Sequence, residues 1–528
     1  MALRDRRAAR LRRALDLPRL ALLALYGLAA VVATWPAARL GDDFAAAGGL
    51  GEGHGEPPAG DHLQLTYRLW LVGHQLGRGD APWRDPYSFQ PLVEPQLSLS
   101  GWPFGLPYWP LEAAFGPVVA WNLLVLATTV GAGLLTHAWL RSLALPPLAA
   151  TVGGLAFAIA PYRLAQGGWH LLGWISLLLP LALLAIERSR TAATPARAHA
   201  WGAVCAISLV TLPLSGQVHL ALGAVPFVLV YAFVRPGPVS LAWCAGGMAG
   251  AVAVGIALRY TVIAGSPEAT TRSLAEVDKF SAEWIDFLDR WHRGASEEFV
   301  FLGWLTPVLA VAGLVLLLRR ERALAVLLGV AAAVPVLLAL GTNLPLYSAL
   351  WDALPPFRFP RVPERLLPIA VLALAALAAF AVGRRRLAGR AALVLVALDL
   401  AVLPLGAAAD DPGNRAYAAL RGSEGRYLDL PLLGPGNHLG AVYDYYALQA
   451  RRERPAGYST LAPQEAFDFV QEFDLEDLRR LDVRAVLLHR GVYEQAGIRG
   501  ASLAQRELFE AGYRPVESDG AVTLFIRP

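Results

Sequence analysis

Long apolar runs alternate with polar connections along the whole chain. The first run covers about residues 17–38, and the others follow residue 116. These later runs cover residues 117–139, 147–162, 171–187, 199–216, 217–234, 239–263, 300–318, 323–341, 367–383 and 391–408. Because an α-helix needs about 20 apolar residues to cross a bilayer, the pattern predicts a mainly α, polytopic membrane protein with about eleven transmembrane helices.

One long polar interruption separates the first run from the rest. Within this first loop (residues 41–116), the stretch Gly60–Pro110 is polar, aromatic and rich in proline. A connection of this length is usually functional or disordered, and its aromatic content argues against disorder. Leucines mix with Tyr67, Trp70 and Trp83 after Asp61, which is typical of a helix lying at the membrane interface. We therefore expect interfacial helices and the main chemistry in this loop.

The C-terminal tail (residues 410–528) has a different, charged and mixed composition. Its patterns predict strands at 426–432 and 483–489, a hairpin of 513–516 with 522–526 across Asp519-Gly520, and helices at 463–473, 475–481 and 502–511. The chain thus divides into a membrane domain, residues 1–409, and a small α/β domain, residues 410–528. Since the tail carries no nucleotide-binding glycine fingerprint, we interpret it as a packing or acceptor-binding lid.

Composition and charge agree with a membrane protein and indicate its orientation. Of the 528 residues, 55% are hydrophobic and only 17% are charged, against about 25% charged in soluble domains. Nearly all basic residues are arginines, and one group of them lies in alternate short connections on the same side as the basic N-terminus: Arg141; Arg188, Arg190 and Arg197; Arg235; Arg319, Arg320 and Arg322; Arg384, Arg385, Arg386 and Arg390. By the positive-inside rule this side is cytoplasmic, so the first loop and the tail face outward. The net charge of +4 reflects this topology and does not indicate a nucleic-acid partner.

Two details of the apolar runs support this interpretation. The basic N-terminal segment resembles the start of a signal peptide, but the run ends in Trp35-Pro36-Ala37-Ala38-Arg39, which is a poor cleavage site. We therefore expect a retained first helix. Cys205 and Cys244 lie inside apolar runs and are interpreted as small buried hydrophobic residues, with no disulfide framework or zinc site.

Candidate acidic residues are concentrated in the first loop. Asp61 could serve as a general base or could cap the helix that starts there. Asp42 and Asp43 could hold a divalent cation or could form a solvated helix end. Asp80 and Asp85 lie among prolines and are interpreted as turn formers.

Candidate binding residues lie in the other outward connections. Arg163 and His170 bracket a turn, where an arginine could grip a phosphate and the histidine could bond a sugar hydroxyl; a surface anchor and a satisfied polar group are the alternatives. His219 lies near another outward helix end. The arginine loop, residues 358–365, carries Arg358, Arg361, Glu364 and Arg365. Its cations could pair with a lipid phosphate or with Glu364. Asp399, within the last run, must find a partner, because a lone charge in lipid is costly.

Several motifs occur in the order found in one membrane enzyme superfamily. They are Thr34-Trp35-Pro36, Gly60-Asp61…Gln64…Trp70, Gly79…Pro82-Trp83…Pro86-Tyr87, Ala160-Pro161-Tyr162-Arg163-Leu164-Ala165…His170, Leu179-Pro180-Leu181-Ala182-Leu183-Leu184-Ala185-Ile186-Glu187-Arg188, Phe359-Pro360-Arg361-Val362-Pro363-Glu364-Arg365, Gly457-Tyr458-Ser459 and Val483-Arg484-Ala485-Val486-Leu487-Leu488. Over most of its length the chain resembles bacterial membrane proteins of the GT-C glycosyltransferase superfamily, particularly YfhO-like and related uncharacterised members.

This resemblance implies an inverting enzyme of the bacterial cell membrane. It would transfer a sugar from a polyprenyl-phosphate carrier to an extracytoplasmic acceptor in the cell envelope, with an acidic residue of the first outward loop as base or metal ligand. The motif context favours Asp61, whereas many superfamily members place an acidic pair directly after the first helix, which keeps Asp42 and Asp43 as alternatives. The substrate-binding candidates are Gln64, Arg163, His170, His219, Arg358, Arg361 and Arg365.

The sequence leaves other matters open. The sugar, the acceptor and the requirement for a divalent cation are not specified by these motifs. A transporter or flippase for lipid-linked sugars is an alternative, although the chain has no evident inverted repeat of broken helices. A non-catalytic membrane scaffold, with the tail as its interaction module, is another.

Overall fold

A computed structural model describes residues 19–41, 43–45, 53–267, 272–291, 299–383, 386–402 and 413–527. Helices correspond to every predicted apolar run. The helices of the membrane domain are Arg19–Ala33, Pro117–Ser142, Pro147–Ala158, Pro161–Trp169, Leu172–Ile175, Leu178–Arg190, Pro195–Leu214, Val218–Val234, Pro238–Leu258 (continued by a π-helical turn, Arg259–Ile263), Leu305–Leu318, Arg322–Ala339, Leu367–Val382 and Arg386–Leu400. The predicted helical class is confirmed.

Six of these helices, within the described ranges, are long and apolar enough to cross a bilayer. They are Pro117–Ser142, Leu172–Arg190, Pro195–Leu214, Pro238–Ile263, Arg322–Ala339 and Pro363–Val382. Pro147–Ala158 and Pro161–Trp169 pass this test together but are bent by 43°, and three further apolar helices are shorter. The chain is a multi-pass membrane protein, and the count of about eleven spans stays a prediction, because helix length and hydropathy alone support six or seven.

The buried charge Asp399 has a structural partner. Its carboxylate accepts hydrogen bonds from the backbone N–H groups of Trp304 at 3.0 Å, Leu305 at 2.9 Å and Thr306 at 3.4 Å. These donors open the helix Leu305–Leu318, where backbone N–H groups are otherwise without intrahelical acceptors. Asp399 therefore caps a neighbouring helix.

The first loop is ordered around two helices and a short ladder. The Asp61 helix, Asp61–Arg78, is followed by the antiparallel ladder of Arg84–Asp85 with Gln96–Leu97 and by the helix Gly105–Phe115. Asp85 accepts hydrogen bonds from the backbone N–H of Tyr87 and from the hydroxyl of Tyr67, both at 2.9 Å. The loop is thus a packed unit, as its aromatic content predicted.

The tail contains a four-stranded mixed sheet. In spatial order its strands are Arg426–Leu430, Val483–His489, Val522–Ile526 and Arg514–Asp519. The first pair is parallel and the other two pairs are antiparallel. The helices around the sheet are Arg415–Ala419, Ala441–Ala450, Gln464–Glu472, Asp477–Arg480, Arg490–Gln495 and Ala501–Glu510. The predicted strands, hairpin and helices are present, and the sequence patterns missed three helices: Arg415–Ala419, Ala441–Ala450 and Arg490–Gln495.

The tail and the first loop share one hydrophobic core. Leu63 and Leu69 of the Asp61 helix are fully buried in the same cluster as Tyr417 and Tyr446 of the tail. Phe44 contacts both sides, with ring centroids 5.1 Å from His62 and 5.7 Å from Tyr445. The two regions therefore lie on the same side of the membrane domain, as predicted. The remaining short elements are 3₁₀ turns at Ala37–Arg39, Gly341–Asn343, Pro355–Arg358, Pro363–Leu366, Leu420–Gly422 and His438–Gly440, and helices at Leu274–Asp278 and Pro345–Ala353.

Candidate functional site

Asp61 is the first residue of its helix, and Gly60 occupies the N-cap position in extended conformation. The Asp61 carboxylate contacts the side chains of His170 and Tyr458. An anion is favoured at this position, because the helix N-terminus carries partial positive charge. With 30% of its side chain exposed, Asp61 is accessible to a substrate.

His170 links Asp61 to the arginine loop. Its Nδ1 lies 3.2 Å from Oδ2 of Asp61, and its Nε2 lies 3.4 Å from Nη2 of Arg365. Because a guanidinium can only donate, we assign Nε2 as the acceptor and place the ring proton on Nδ1, where it is donated to Asp61. The imidazole thus connects a carboxylate and a cation that are distant in the sequence.

The ends of two apolar helices indicate where this site lies relative to the bilayer. His170 lies two residues before the candidate span Leu172–Arg190, and Arg365 lies in the first turn of the candidate span Pro363–Val382. Two side chains that contact each other at the ends of spans lie near the boundary between bilayer and water. A polar headgroup whose tail stays in the bilayer could reach Asp61 at this level.

The tail contributes Tyr458, which sequence analysis did not count among the site residues. Its hydroxyl donates to Oδ1 of Asp61 at 3.4 Å. Its backbone carbonyl accepts from Nε2 of Gln64 at 2.8 Å and from Nη2 of Arg68 at 3.2 Å. Gln64 therefore holds the tail in place, and a role in binding substrate stays a prediction. The only signal for Tyr458 in the sequence was its place in the Gly457-Tyr458-Ser459 motif.

Arg163 is directed into the protein. Its guanidinium donates to the hydroxyl of Ser176 at 3.0 Å and to the carbonyls of Ala158 at 2.9 Å and Thr128 at 3.0 Å. Only 2% of the residue is exposed. These contacts brace the break between Pro147–Ala158 and Pro161–Trp169, and the geometry gives no support to the expectation that Arg163 grips a phosphate.

Arg358 and Arg361 of the arginine loop, and His219, have described contacts with groups other than Asp61 and His170. Arg358 is exposed and donates to the carbonyls of Trp351 and Asp352 at 3.0 and 2.9 Å. Arg361 lies over the ring of Phe280, 5.6 Å from its centroid. His219 is buried, with its ring centroid 6.1 Å from that of Phe359. The structure thus joins Arg365 to His170 and Asp61. The contacts described for Arg358, Arg361 and His219 are with other groups, but the Arg361 cation is near enough to Tyr458 to oppose the rise in the pKa of its phenol.

The acidic pair before the Asp61 helix is only partly described. Asp42 lies outside the described residues. The Asp43 backbone carbonyl accepts from Nδ2 of Asn122 at 2.8 Å, and the next residue, Phe44, packs against His62. The segment therefore passes beside the start of the Asp61 helix. Within the described ranges, no group of three His, Cys, Asp or Glu side chains is arranged to hold a metal ion.

His62 and Tyr458, which both lie near Asp61, each keep one protonation state at neutral pH. Burial lowers the pKa of His62 to about 4, against the opposing influence of Asp61. Burial and the Asp61 carboxylate raise the pKa of Tyr458 well above the ordinary range. His62 is therefore neutral, and Tyr458 keeps the proton that it donates to Asp61.

The chain is similar to known proteins in its fold and not in its sequence. No protein-family model matches the chain, and no curated protein matches it at a significant level. It is similar to the structure of the arabinofuranosyltransferase AftD from Mycobacteria, with 14% identity over 96% of this chain and 39% of AftD, at a TM-score of 0.60. The chain thus spans about two fifths of that protein.

Two further structures align over much of the chain with lower TM-scores. The oligosaccharyltransferase from Archaeoglobus fulgidus shares 14% identity over 89% of this chain and 69% of that chain, at a TM-score of 0.47. ArnT from Cupriavidus metallidurans, bound to undecaprenyl phosphate, shares 12% identity over 95% and 97%, at 0.38. The similarity to AftD supplies the argument, and from it we conclude that the chain has a GT-C-like fold.

Proposed function

We propose that the protein is a membrane glycosyltransferase that moves a sugar from a polyprenyl-phosphate carrier to an extracytoplasmic acceptor. One observation carries the proposal: the accessible carboxylate of Asp61 is held by His170 and Tyr458 where two apolar helices begin. A lipid-linked donor requires such a site, because its tail stays in the bilayer while its sugar reaches water. The GT-C-like fold supports the same reaction class.

Asp61 is the proposed general base. As the acceptor oxygen forms its bond to the anomeric carbon, its proton passes to the Asp61 carboxylate. The bond between that carbon and the carrier phosphate breaks, and its electron pair leaves on the phosphate oxygen. Attack opposite to the leaving phosphate inverts the anomeric centre. The cation of Arg365, beyond His170, favours an anionic leaving group at this end of the site.

The orientation follows from the charge pattern of the sequence. We place the protein in the bacterial inner membrane, with a cytoplasmic N-terminus and an extracytoplasmic tail. The shared core of the tail and the first loop supports a single outward side for both. The acceptor is a component of the cell envelope.

The test compares two changes from carboxylate to amide in the first loop. The full chain in nanodiscs is given radiolabelled polyprenyl-phosphate sugars and an envelope-lipid acceptor extract. Asp61→Asn should lower transfer by about 10²-fold or more. Asp80→Asn is the matched control, because Asp80 is exposed and pairs only with Arg78 among the contacts described, at 3.2 Å; it should keep wild-type activity.

Other outcomes would change the proposal in defined ways. Full transfer by Asp61→Asn, with loss in Asp42→Asn or Asp43→Asn, would move the base to the acidic pair. A loss of activity with chelator that Mg²⁺ or Mn²⁺ restores would assign that pair a cation. Movement of the donor across the bilayer without transfer would favour a flippase, and a wild type that binds no donor would favour a scaffold.

A further inference from the structure

The tail forms part of the site that contains Asp61. Resting on the function proposed above, we propose that Tyr458 is a positioning residue for Asp61: its hydroxyl holds Oδ1 while His170 holds Oδ2, so that the carboxylate keeps one orientation toward the acceptor. The two contacts measure 3.4 and 3.2 Å. A carboxylate with both oxygens engaged cannot rotate freely, and fixed geometry is a large part of what an enzyme contributes to a transfer reaction.

Tyr458 is itself held from the Asp61 helix. Gln64 and Arg68 both donate to its backbone carbonyl, and they lie about one and two turns after Asp61 on the same helix. Gly440 also packs against Tyr458, because an added Cβ at Gly440 would lie 3.0 Å from the Tyr458 Cβ. Tyr458 is 7% exposed. Asp61 and Tyr458 are therefore fixed by the same helix.

Backbone hydrogen bonds between the tail and the first loop place Tyr458 beside this helix. The backbone N–H of Arg454 donates to the Tyr87 carbonyl, and the N–H of Gln90 donates to the Arg454 carbonyl, both at 2.9 Å. Gly457 passes so close to Ser88 that an added Cβ would lie 2.9 Å from the Ser88 Cβ. The segment Arg454–Tyr458 thus runs beside the first loop, and this pairing places the Tyr458 phenol next to Asp61.

This arrangement gives the tail a part in the proposed reaction without requiring it to touch substrate. The phenol is a donor toward an anion, and such a bond stabilises the carboxylate relative to the carboxylic acid. Removing the hydroxyl should lower the rate and make the base protonate at a higher pH. A tail that served only as packing would leave the pH dependence of the base unchanged, whatever its effect on the rate.

The test compares Tyr458→Phe with Tyr513→Phe in the full-length protein in nanodiscs. Tyr513 is also a buried tail residue, but its hydroxyl donates to the Val483 carbonyl inside the sheet. Tyr458→Phe should lower kcat on the order of 10-fold and should move the acid limb of the kcat/KM profile upward by about 0.5 to 1 pH unit. Tyr513→Phe should leave the acid limb unchanged.

The outcomes separate this inference from the proposed function. If Asp61→Asn loses transfer while Tyr458→Phe keeps the wild-type rate and pH profile, the function stands and the positioning role is overturned. A lower rate with an unchanged acid limb also overturns it, since that is the signature of packing alone. If Tyr458→Phe is too unstable to assay, Gln64→Met, which loosens the Tyr458 carbonyl but leaves its phenol, must reproduce the pH shift; an unchanged profile in that variant rejects the proposal.

Discussion

Glu56 and His489 are 433 positions apart in the chain, yet the Glu56 carboxylate accepts a hydrogen bond from Nδ1 of His489 inside the protein. On the other edge of the imidazole ring, Nε2 of His489 lies 2.9 Å from the hydroxyl of Tyr417 and 3.4 Å from Oδ1 of Asp429. All four side chains are buried. This contact joins the start of the first loop to the end of a sheet strand in the tail.

Stability should therefore fall in mildly alkaline solution. Burial alone would lower the pKa of His489, but Glu56 and Asp429 raise it to about 9. A histidine whose pKa is raised on folding stabilises the protein fully below its unfolded value, about 6.5, and loses that contribution as the pH rises through 9. The difference between the pKa of His489 in the folded and unfolded states corresponds to a loss of roughly 3 kcal/mol in the free energy of unfolding.

Thermal unfolding of the full protein between pH 6 and 10 measures this effect. The apparent Tm of the wild type should decline across pH 7–9, and His489→Gln should be less stable at pH 6.5 and show a much flatter profile. His54→Gln is the matched control, because His54 makes a comparable contact with Glu494, at 3.2 Å, on the surface. A decline of equal slope in His489→Gln and the wild type would contradict the prediction.

The second prediction concerns Arg454, which lies buried between two tail carboxylates. It contacts Asp444 directly and lies 3.6 Å from Oδ2 of Asp429. Arg454→Leu would leave Asp444 buried without the cation that it contacts, and Asp429 with His489 alone, so the free energy of unfolding should fall by about 3–5 kcal/mol. Urea or heat unfolding in detergent measures this.

An exposed arginine of the same domain provides the control for Arg454. Arg484 pairs with Asp482 at 3.1 Å and with Glu424 at 3.4 Å at the surface. Because exposed ion pairs contribute about 1 kcal/mol or less, Arg484→Leu should have a small effect. Equal losses in the two variants would show that burial does not set the cost.

The third prediction tests the close approach of the tail to the first loop. Gly457→Ala would bring a Cβ within 2.9 Å of the Ser88 Cβ and 3.2 Å of the Phe89 ring. The segment must then move, and we expect transfer activity to fall by about 10-fold or more through displacement of Tyr458. Gly434→Ala, a tail position with no atom within 4 Å of the added Cβ, should retain activity. Wild-type activity in Gly457→Ala would mean that this contact does not position the site.

The fourth prediction concerns the helix cap formed by Asp399. Gly303 adopts a φ of +85°, and an added Cβ would lie 2.6 Å from Oδ2 of Asp399. Gly303→Ala should lower stability by about 2 kcal/mol or more, from backbone strain and displacement of the capping carboxylate. Gly246→Ala, within a helix and with nothing near the added Cβ, should be neutral or slightly stabilising. Apparent Tm values in detergent distinguish the two.

The sequence alone determined most of the local elements. Apolar runs of spanning length specify membrane helices because lipid offers no hydrogen-bond partner to a backbone. The Asp519-Gly520 turn signal predicted the hairpin that the strands Arg514–Asp519 and Val522–Ile526 form. The sequence also predicted that Asp61 stands at the start of a helix in the first loop. These features depend on residues close together in the chain.

Only the tertiary structure decided which distant side chains meet. His170 and Arg365 belonged to separate predicted loops, and Tyr458 was an unremarked member of a tail motif, until folding brought them to Asp61. Arg163 has the residue type of a phosphate ligand, but packing directs its guanidinium to internal carbonyls. Sequence patterns record whether a position prefers water or lipid; they do not record the partner of a polar group, because that depends on how separate helices and strands pack in space.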